Sequence, residues 1–362
     1  MAKNRSAGAV AIDSGAARVD SGRALMKGTS GRWAGEQLLR ALSEGRELGP
    51  AVLRTADTLR RDEWVAFDEA VIEEGMIRLR GVADLIAAGL TLPIAGAMGK
   101  TMVEYEKMAD MQDAIVSLSG VDRSEDDRVD FTQDQIPLPI THKDFDLNLR
   151  TLIASRTRGE ALDTTQARVS SRKVSEMLEY MLYNGGKTFL GKTIYGYTSH
   201  PDRNLLDYAT AGETWDAAGK TGEEILTDVR NAKARLEAER FFGPYWLYVP
   251  SAASTKLDDD FKSNSDKTIR QRIGEVDGIQ KIQVVDQIPA GHVVLTQASR
   301  DVVVLVTGQT TTVVQWDIEG GFVIKFKVFA IQVPLLRSTS ATSAFAAGTK
   351  TKQMGVVDMF AQ

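Results

Sequence analysis

Leu162–Thr193 reads LDTTQARVSSRKVSEMLEYMLYNGGKTFLGKT, and the fold class turns on how its two halves are understood. The first half is helical in pattern. Ala167, Ser170, Ser171, Val174, Leu178, Met181 and Leu182 recur at the spacing of one helix face. Asp163, with Gln166 three residues on, predicts a capping box, and Asn184-Gly185-Gly186 predicts a left-handed stop. Such a helix runs about 21 residues, or roughly 32 Å at the usual rise. Small residues fill the first half of its apolar face and large ones the second. One end can therefore approach another backbone closely while the other fills a core.

The second half, Gly186-Lys187-Thr188-Phe189-Leu190-Gly191-Lys192-Thr193, fits G-x-x-x-x-G-K-[ST], the phosphate-cradling loop of nucleotide hydrolases. A working loop of that kind leaves a buried strand and enters a helix, so that its amides and the helix N-terminus converge on the phosphates. Here the order is reversed. A helical pattern precedes the match, and the β-like Ile194-Tyr195-Gly196-Tyr197 follows it. No strand ending in an acid stands at a plausible place to hold magnesium. The reversed order predicts a Gly-rich helix stop and a polar loop, not a nucleotide site.

Composition narrows the classes further. Of the 362 residues, 43% are hydrophobic and 26% charged, the balance of a soluble globular protein of about two domains. The net charge of −5 argues against a chain that binds nucleic acid over its whole surface. The absence of cysteine excludes disulfides, thiolate metal sites and a thiol nucleophile. His142, His200 and His292 stand far apart, without zinc-ligand spacing. The acids Asp122, Glu125, Asp126, Asp127 and Asp130 lack the glycine and terminal glutamate of a calcium loop and read as a solvated turn. The paired Asp13-Ser14-Gly15 and Asp20-Ser21-Gly22 mimic aspartic-protease tripeptides, but that chemistry needs two carboxylates brought together from two lobes. No G-x-S-x-G elbow occurs. The reading is of a non-enzyme: no catalytic, cofactor-binding or metal residue is assigned. Leu85–Met98, broken by Gly89, Pro93 and Gly96, is too short to span a bilayer, and no secretory signal opens the chain, so a soluble protein made in the cytosol is expected.

Working outward, residues 1–32 carry six basic side chains against Asp13 and Asp20, a charge of +4 that leaves −9 for the rest. So few large apolar residues cannot offset the ordering entropy, so this arm is either disordered or ordered against something else. Short helices are expected within Gly35–Leu59. Asp62 is expected to cap a helix through Leu79, with Trp64, Val65, Phe67, Val71, Ile72 and Met76 inward and Asp68, Glu69, Glu73 and Glu74 outward. Residues 99–140 read as a long two-stranded excursion with a charged tip. Such a ribbon is marginal alone in water and needs a neighbour to lie on, the first sign of an assembly protein. Thr221–Phe242 predicts a second helix with Ile225, Val229, Ala232 and Leu236 on one face. Tyr245–Val249, Ile279–Val285, His292–Thr296 and Val302–Val306 predict strands, with short helices at Ser251–Leu257 and Lys267–Ile273. Thr310–Trp316 and Phe322–Pro334 predict a hairpin whose alternation in Ile324–Val328 marks a half-buried antiparallel sheet. Residues 338–362 read as a frayed tail despite the apolar Val356–Phe360.

Several stretches resemble the encapsulin-like branch of the tailed-phage major capsid proteins. They are Ile136-Pro137-Leu138-Pro139-Ile140 with His142-Lys143-Asp144-Phe145, then Leu162-Asp163-Thr164-Thr165-Gln166-Ala167, then Gly196-Tyr197-Thr198 with His200-Pro201-Asp202-Arg203-Asn204. Gly243-Pro244-Tyr245 with Leu247-Tyr248-Val249-Pro250, and the closing hairpin, complete the set. The resemblance spans about residues 60–337. It implies an α+β chain with the Hong Kong 97 phage capsid fold: N-terminal arm (1–59), N-terminal helix region (60–98), extended β-hairpin loop (99–140), peripheral domain with a long spine helix (141–220), axial domain (221–306), peripheral strands (307–337) and C-terminal tail (338–362). It further implies a major capsid protein that self-assembles as pentamers and hexamers into an icosahedral shell around phage DNA. Portal and scaffold or decoration proteins are implied as partners, and the virion, assembled in the host cytoplasm, as the location. The alternative it leaves is an encapsulin-type compartment holding cargo enzymes, and the remote one is the nucleotide hydrolase. The roughly 60 residues ahead of the helix at 62–79 favour the phage head. Some members of the fold cross-link loop lysines to asparagines. Lys100 and Lys107 lie beside this loop, but no asparagine here matches that scheme.

Overall fold

The structure, a computed structural model, describes residues 68–73, 79–108, 118, 131–151, 153, 164–208, 213–262, 266–318, 323–340 and 352–361. The expected arm, the short helices before 60, the acidic turn at 121–130, and Asp62, Trp64, Val65, Phe67, Glu74 and Met76 lie outside those residues.

Residues 68–73 are helical, with Ala70 and Val71 buried and Glu69 and Glu73 exposed. Ile72, expected inward, is 58% exposed: it follows the buried pair Ala70 and Val71 and is turned about 100° past Val71 around the helix, out of the buried stripe of these described residues. Then come α1 (Gly81–Ala87), β1 (Thr91–Pro93), β2 (Met102–Met108), β3 (Phe131–Pro137) and β4 (Thr141–Asn148). The long helix α2 spans Thr165–Tyr183. All seven residues of its predicted face are buried, and Ser175, Glu179 and Tyr183 join them. Its start differs from expectation. The N-cap position falls on Thr164, whose side chain makes no cap bond, so Gln166 is one residue too early to close a capping box. Its end is as read. Gly185 and Gly186 have φ of 58° and 78°. A Cβ on Gly185 would stand 2.3 Å from the Gly196 nitrogen, so two backbones meet where only glycine fits.

The chain continues through β5 (Gly185–Phe189), β6 (Lys192–Tyr195), β7 (Asn204–Asp207) and α3 (Gly222–Ala238). Thr221 and Glu224 form a reciprocal capping box at the start of α3, and Ile225, Val229, Ala232 and Leu236 are buried as predicted. β8 (Tyr245–Pro250), α4 (Ser254–Leu257), α5 (Ile269–Gly274), β9 (Ile279–Val285) and β10 (Val293–Gln297) follow. Last come β11 (Val303–Ile318), β12 (Val323–Leu336), β13 (Thr339–Ser340), β14 (Lys352–Gln353) and β15 (Val356–Phe360).

Two sheets organise the molecule. The first has the order β1-β11-β12-β4 and carries α2 on one face. The expected hairpin is present and longer than predicted. β11 starts at Val303, so the strand expected at Val302–Val306 and the one expected at Thr310–Trp316 are one strand, bulged between Thr307 and Thr312. Ile324, Phe326 and Val328 point into the core while Lys325 and Lys327 are half-buried. The second sheet has the order β7-β15-β10-β8-β9 and packs against α3. β15 corrects the reading of a frayed tail: it lies between β10 and β7, and Val356, Val357 and Met359 are fully buried. A five-residue strand has no stability of its own. Its partners are about 60 and 150 residues upstream, where no local pattern reveals them.

Candidate functional site

Three places join distant parts of the chain, and each is built around a carboxylate. At the first, β2 and β3 pair from Met102↔Pro137 to Met108↔Phe131 and form the expected ribbon. Its root is buried through Val103, Ile136 and Leu138, while Glu104, Glu106, Thr132, Gln133 and Gln135 further out are exposed. The ribbon touches β6 through Asp134. One oxygen of Asp134 accepts from Lys192 Nζ at 2.8 Å; the other accepts from Lys107 Nζ at 2.8 Å and from the Tyr105 hydroxyl at 3.2 Å. Partial burial disfavours the charge on Asp134, but the two ammonium groups and the Gln135 amide outweigh it and hold the carboxyl well below the usual range. Lys107, noted for its place beside the extended loop, is thus committed to its own ribbon.

The same contact decides the phosphate-loop match. Residues 185–195 form a β-hairpin, where a polar loop was expected. Leu190 and Gly191, with φ of 51° and 75°, make the two-residue turn. Lys192 is bonded to Asp134, and the Thr193 hydroxyl is 2.9 Å from that of Thr188 across the hairpin. A strand, not a helix, follows, so no helix N-terminus faces a phosphate. The depression beside the start of α3, about 560 Å³, does not replace it. Its Lys262 and Lys256 are paired with Glu223 and Asp259.

At the second place, α2 meets α1 and the second sheet. Glu179 is 2% exposed and its Oε1 accepts from the Val82 amide at 3.0 Å. Burial pushes its pKa up to about 7, against the pull of the Val82, Gly81 and Arg80 amides; the nearby Asp84 adds to the rise. Asp84 forms an ion pair with Lys281 and accepts from the Tyr248 hydroxyl at 3.4 Å. Tyr183, Tyr197 and Tyr248 pack ring to ring around this pair of acids, and burial raises all three hydroxyls above their usual range. Sequence periodicity did not mark Glu179, because a charged residue on a helix reads as an outward one.

The third place fastens β15. Asp358, fully buried, accepts from Arg203 Nε at 3.1 Å and lies 2.9 Å from His292 Nδ1. Asn204 donates to Glu239 at 2.8 Å and to the Met354 carbonyl at 3.0 Å, and Ser338 donates to Asp202 at 2.8 Å. The His200–Asn204 stretch is thereby a clasp for the end of the chain. His142 and His292 pair with different acids, Asp144 and Asp358. Among the described residues no group of histidines and acids could hold a metal ion, and no helix is long and apolar enough to cross a membrane. What these places do is join parts of the chain; none brings a nucleophile and a base together over a pocket.

The fold is shared with solved capsid structures. A virus-like particle from Pyrococcus furiosus matches with a TM-score of 0.56 at 17% identity, over 83% of this chain and 98% of that one. The capsid of a native GTA particle matches with 0.54 at 12% identity, over 78% and 92%. The capsid of Myoviridae phage XM1 matches with 0.52 at 10% identity, over 77% and 92%. The protein has the Hong Kong 97-type capsid fold. By sequence, a family model described as Family of unknown function (DUF6260) matches residues 54–317, and the chain belongs to that family. No curated protein matches it in sequence.

Proposed function

We propose that this protein is the main shell subunit of a phage-type head, a structural protein and not an enzyme. Copies assemble as pentamers and hexamers into a closed icosahedral shell around DNA. The observation that supports this most is coverage: the likeness in fold extends over 92–98% of the length of the three capsid chains. The ribbon adds to it, since its outer strands are exposed in the single subunit. Portal, scaffold or decoration proteins are its partners, assembly takes place in the host cytoplasm, and the packaged DNA is contacted without sequence preference on the inner face. The +4 of residues 1–32, which lie outside the described residues, suits contact with an acidic neighbour or with that DNA, and deleting residues 2–32 is expected to impair assembly or DNA retention.

The test is negative-stain microscopy of the protein expressed alone. Closed, thin-walled shells are the expected result; monodisperse monomers at high concentration without scaffold weaken the reading, and monomers that persist when scaffold is co-expressed overturn it. A second reading, a compartment for cargo enzymes, is favoured by the virus-like particle having the highest TM-score of the three. Nuclease-protected DNA inside shells purified from infected or induced cells separates the head from the compartment.

A further inference from the structure

Within the second sheet, β15 alone has to enter between two strands made before it. It fits between β7 and β10, whose residues lie about 150 and 60 positions earlier in the chain. Until residues 354–360 arrive, β7 has no partner strand among the described residues, and the gap beside β10 opens onto both cores. Met354 and Val356 close the core under α2, while Val357 and Met359 close the one packed on α3; all four are fully buried. Burial of that extent is on the scale of a domain's whole net stability.

The gap is selective as well as apolar. Asp358 meets Arg203 and His292 in the middle of the strand, and the His292 ring stacks on Phe360 with centroids 5.3 Å apart. Ahead of them, Asn204 donates to the Met354 carbonyl and Glu239 accepts from the Met354 amide. A Cβ on Gly355 would stand 2.5 Å from Val302, so the chain enters at a point where a side chain does not fit. A slip of one residue would turn Asp358 toward α3 and an apolar side chain toward Arg203, so one register is favoured. We propose that residues 354–360 are a late-fitting latch: the slot between β7 and β10 stays open while the rest of the subunit folds, accepts this one extended segment, and holds back the assembly-competent form until it is filled. Folding that begins with the earlier residues during synthesis gives the slot time to exist empty. On the shell reading, on which only the assembly half of this inference rests, an unlatched subunit stays out of shells because its second sheet is not yet one body.

The test uses the full chain with Val357→Asp, which sets a carboxylate against the core on α3 and disfavours insertion. Amide exchange of β7 and of residues 354–360 should rise together by about 100-fold or more, while β11 and β12 change by less than about 3-fold. A synthetic peptide of residues 352–362 with the natural sequence should restore protection of β7 and admit the variant to shells. The same peptide with Asp358→Lys should do neither, and the wild-type protein, its slot filled, should not take the peptide up. Asp358→Asn in the full chain keeps the shape and removes the charge, and should raise exchange of β7 and β15 together by about 10-fold. A Val357→Asp protein with wild-type protection of β7 overturns the latch. So does one that loses protection everywhere and is not restored by the peptide, since the strand is then an inseparable part of one cooperative fold. Entry of Val357→Asp into shells with β7 unprotected overturns the gating of assembly. If the peptide restores β7 but no protein forms shells even with scaffold co-expressed, the shell reading fails while the latch stands.

Discussion

Glu179 and Asp134 are both carboxylates at joints between distant parts of one chain, and their surroundings treat them in opposite ways. Around Glu179 the joint is made by shape. α1, α2 and β8 meet through packed tyrosines, and the charge sits in a place that disfavours it, with its pKa at about 7. Around Asp134 the joint is made by charge. The ribbon beyond its root buries little, and two lysines and a tyrosine hydroxyl hold it to the hairpin. A buried joint is stiff and indifferent to salt. A half-exposed ionic joint is weak, screened and adjustable. On the proposed shell function, a rigid body with an adjustable ribbon is a workable division of labour.

The largest expected effect breaks the rigid side. In Gly185→Ala the new Cβ meets the Gly196 backbone at 2.3 Å, and φ is 58° as well. A loss of about 3–4 kcal/mol in chemical unfolding of the unassembled subunit is expected. A loss below about 1 kcal/mol shows that the two strands separate easily and that this joint is not rigid.

Next in size is the pH dependence of Glu179. Its folded pKa of about 7 is above the ordinary 4.5, so the folded state binds the extra proton between those values. Stability from this group is therefore fully present below pH 4.5, falls as pH rises from there through about 7, and levels off above it, a total loss on the order of 3 kcal/mol. Glu179→Gln keeps an acceptor for the Val82 amide and removes the titration. Its unfolding free energy should match wild type near pH 5 and exceed it at pH 8. Equal pH profiles for the two proteins count against a buried charge there.

The ionic joint should respond with the opposite sign and less strongly. Asp134 has a depressed pKa, so its contribution is present above the ordinary carboxylate value and is lost as pH falls below about 4. Asp134→Asn should cost about 0.5–1 kcal/mol at low salt and less at high salt. Limited proteolysis of the ribbon should become faster while unfolding of the rest barely changes. A double-mutant cycle with Lys192→Met should show coupling; strictly additive losses break the comparison. The smallest expected effect is none. Lys192→Ala should leave nucleotide binding at the wild-type level of zero, measured by calorimetry with ATP and magnesium. Binding that Lys192→Ala abolishes revives the phosphate-loop reading.

The sequence was most legible where periodicity is local. The face of α2 from Ala167 to Leu182, the face of α3, the glycine stop at 185–186 and a two-stranded excursion within 99–140 were read from spacing and turn chemistry, while the second strand of that ribbon, Phe131–Pro137, is placed by its pairing with β2. Misreadings came where the signal was real but its partner was remote. Val356–Phe360 has a strand composition, yet only pairing with β7 and β10 makes it a strand and not a tail. Glu179 falls on the buried side of α2 only because the amides of α1 reach it. β4, unread in the sequence, is fixed by pairing with β12 about 180 residues on.

What the sequence determined by itself is the faces of the two long helices, α2 and α3, and the impossibility of thiol chemistry, since zero cysteines and helical periods are properties of the chain alone. The tertiary structure alone decided what Gly186–Thr193 is. Its letters satisfy a phosphate loop, but that function requires a strand behind it and a helix ahead. Folding instead turned the stretch back on itself as a hairpin and set Lys192 against a carboxylate 58 residues away. A motif fixes only which side chains are available; the direction of the backbone on either side decides what they can reach.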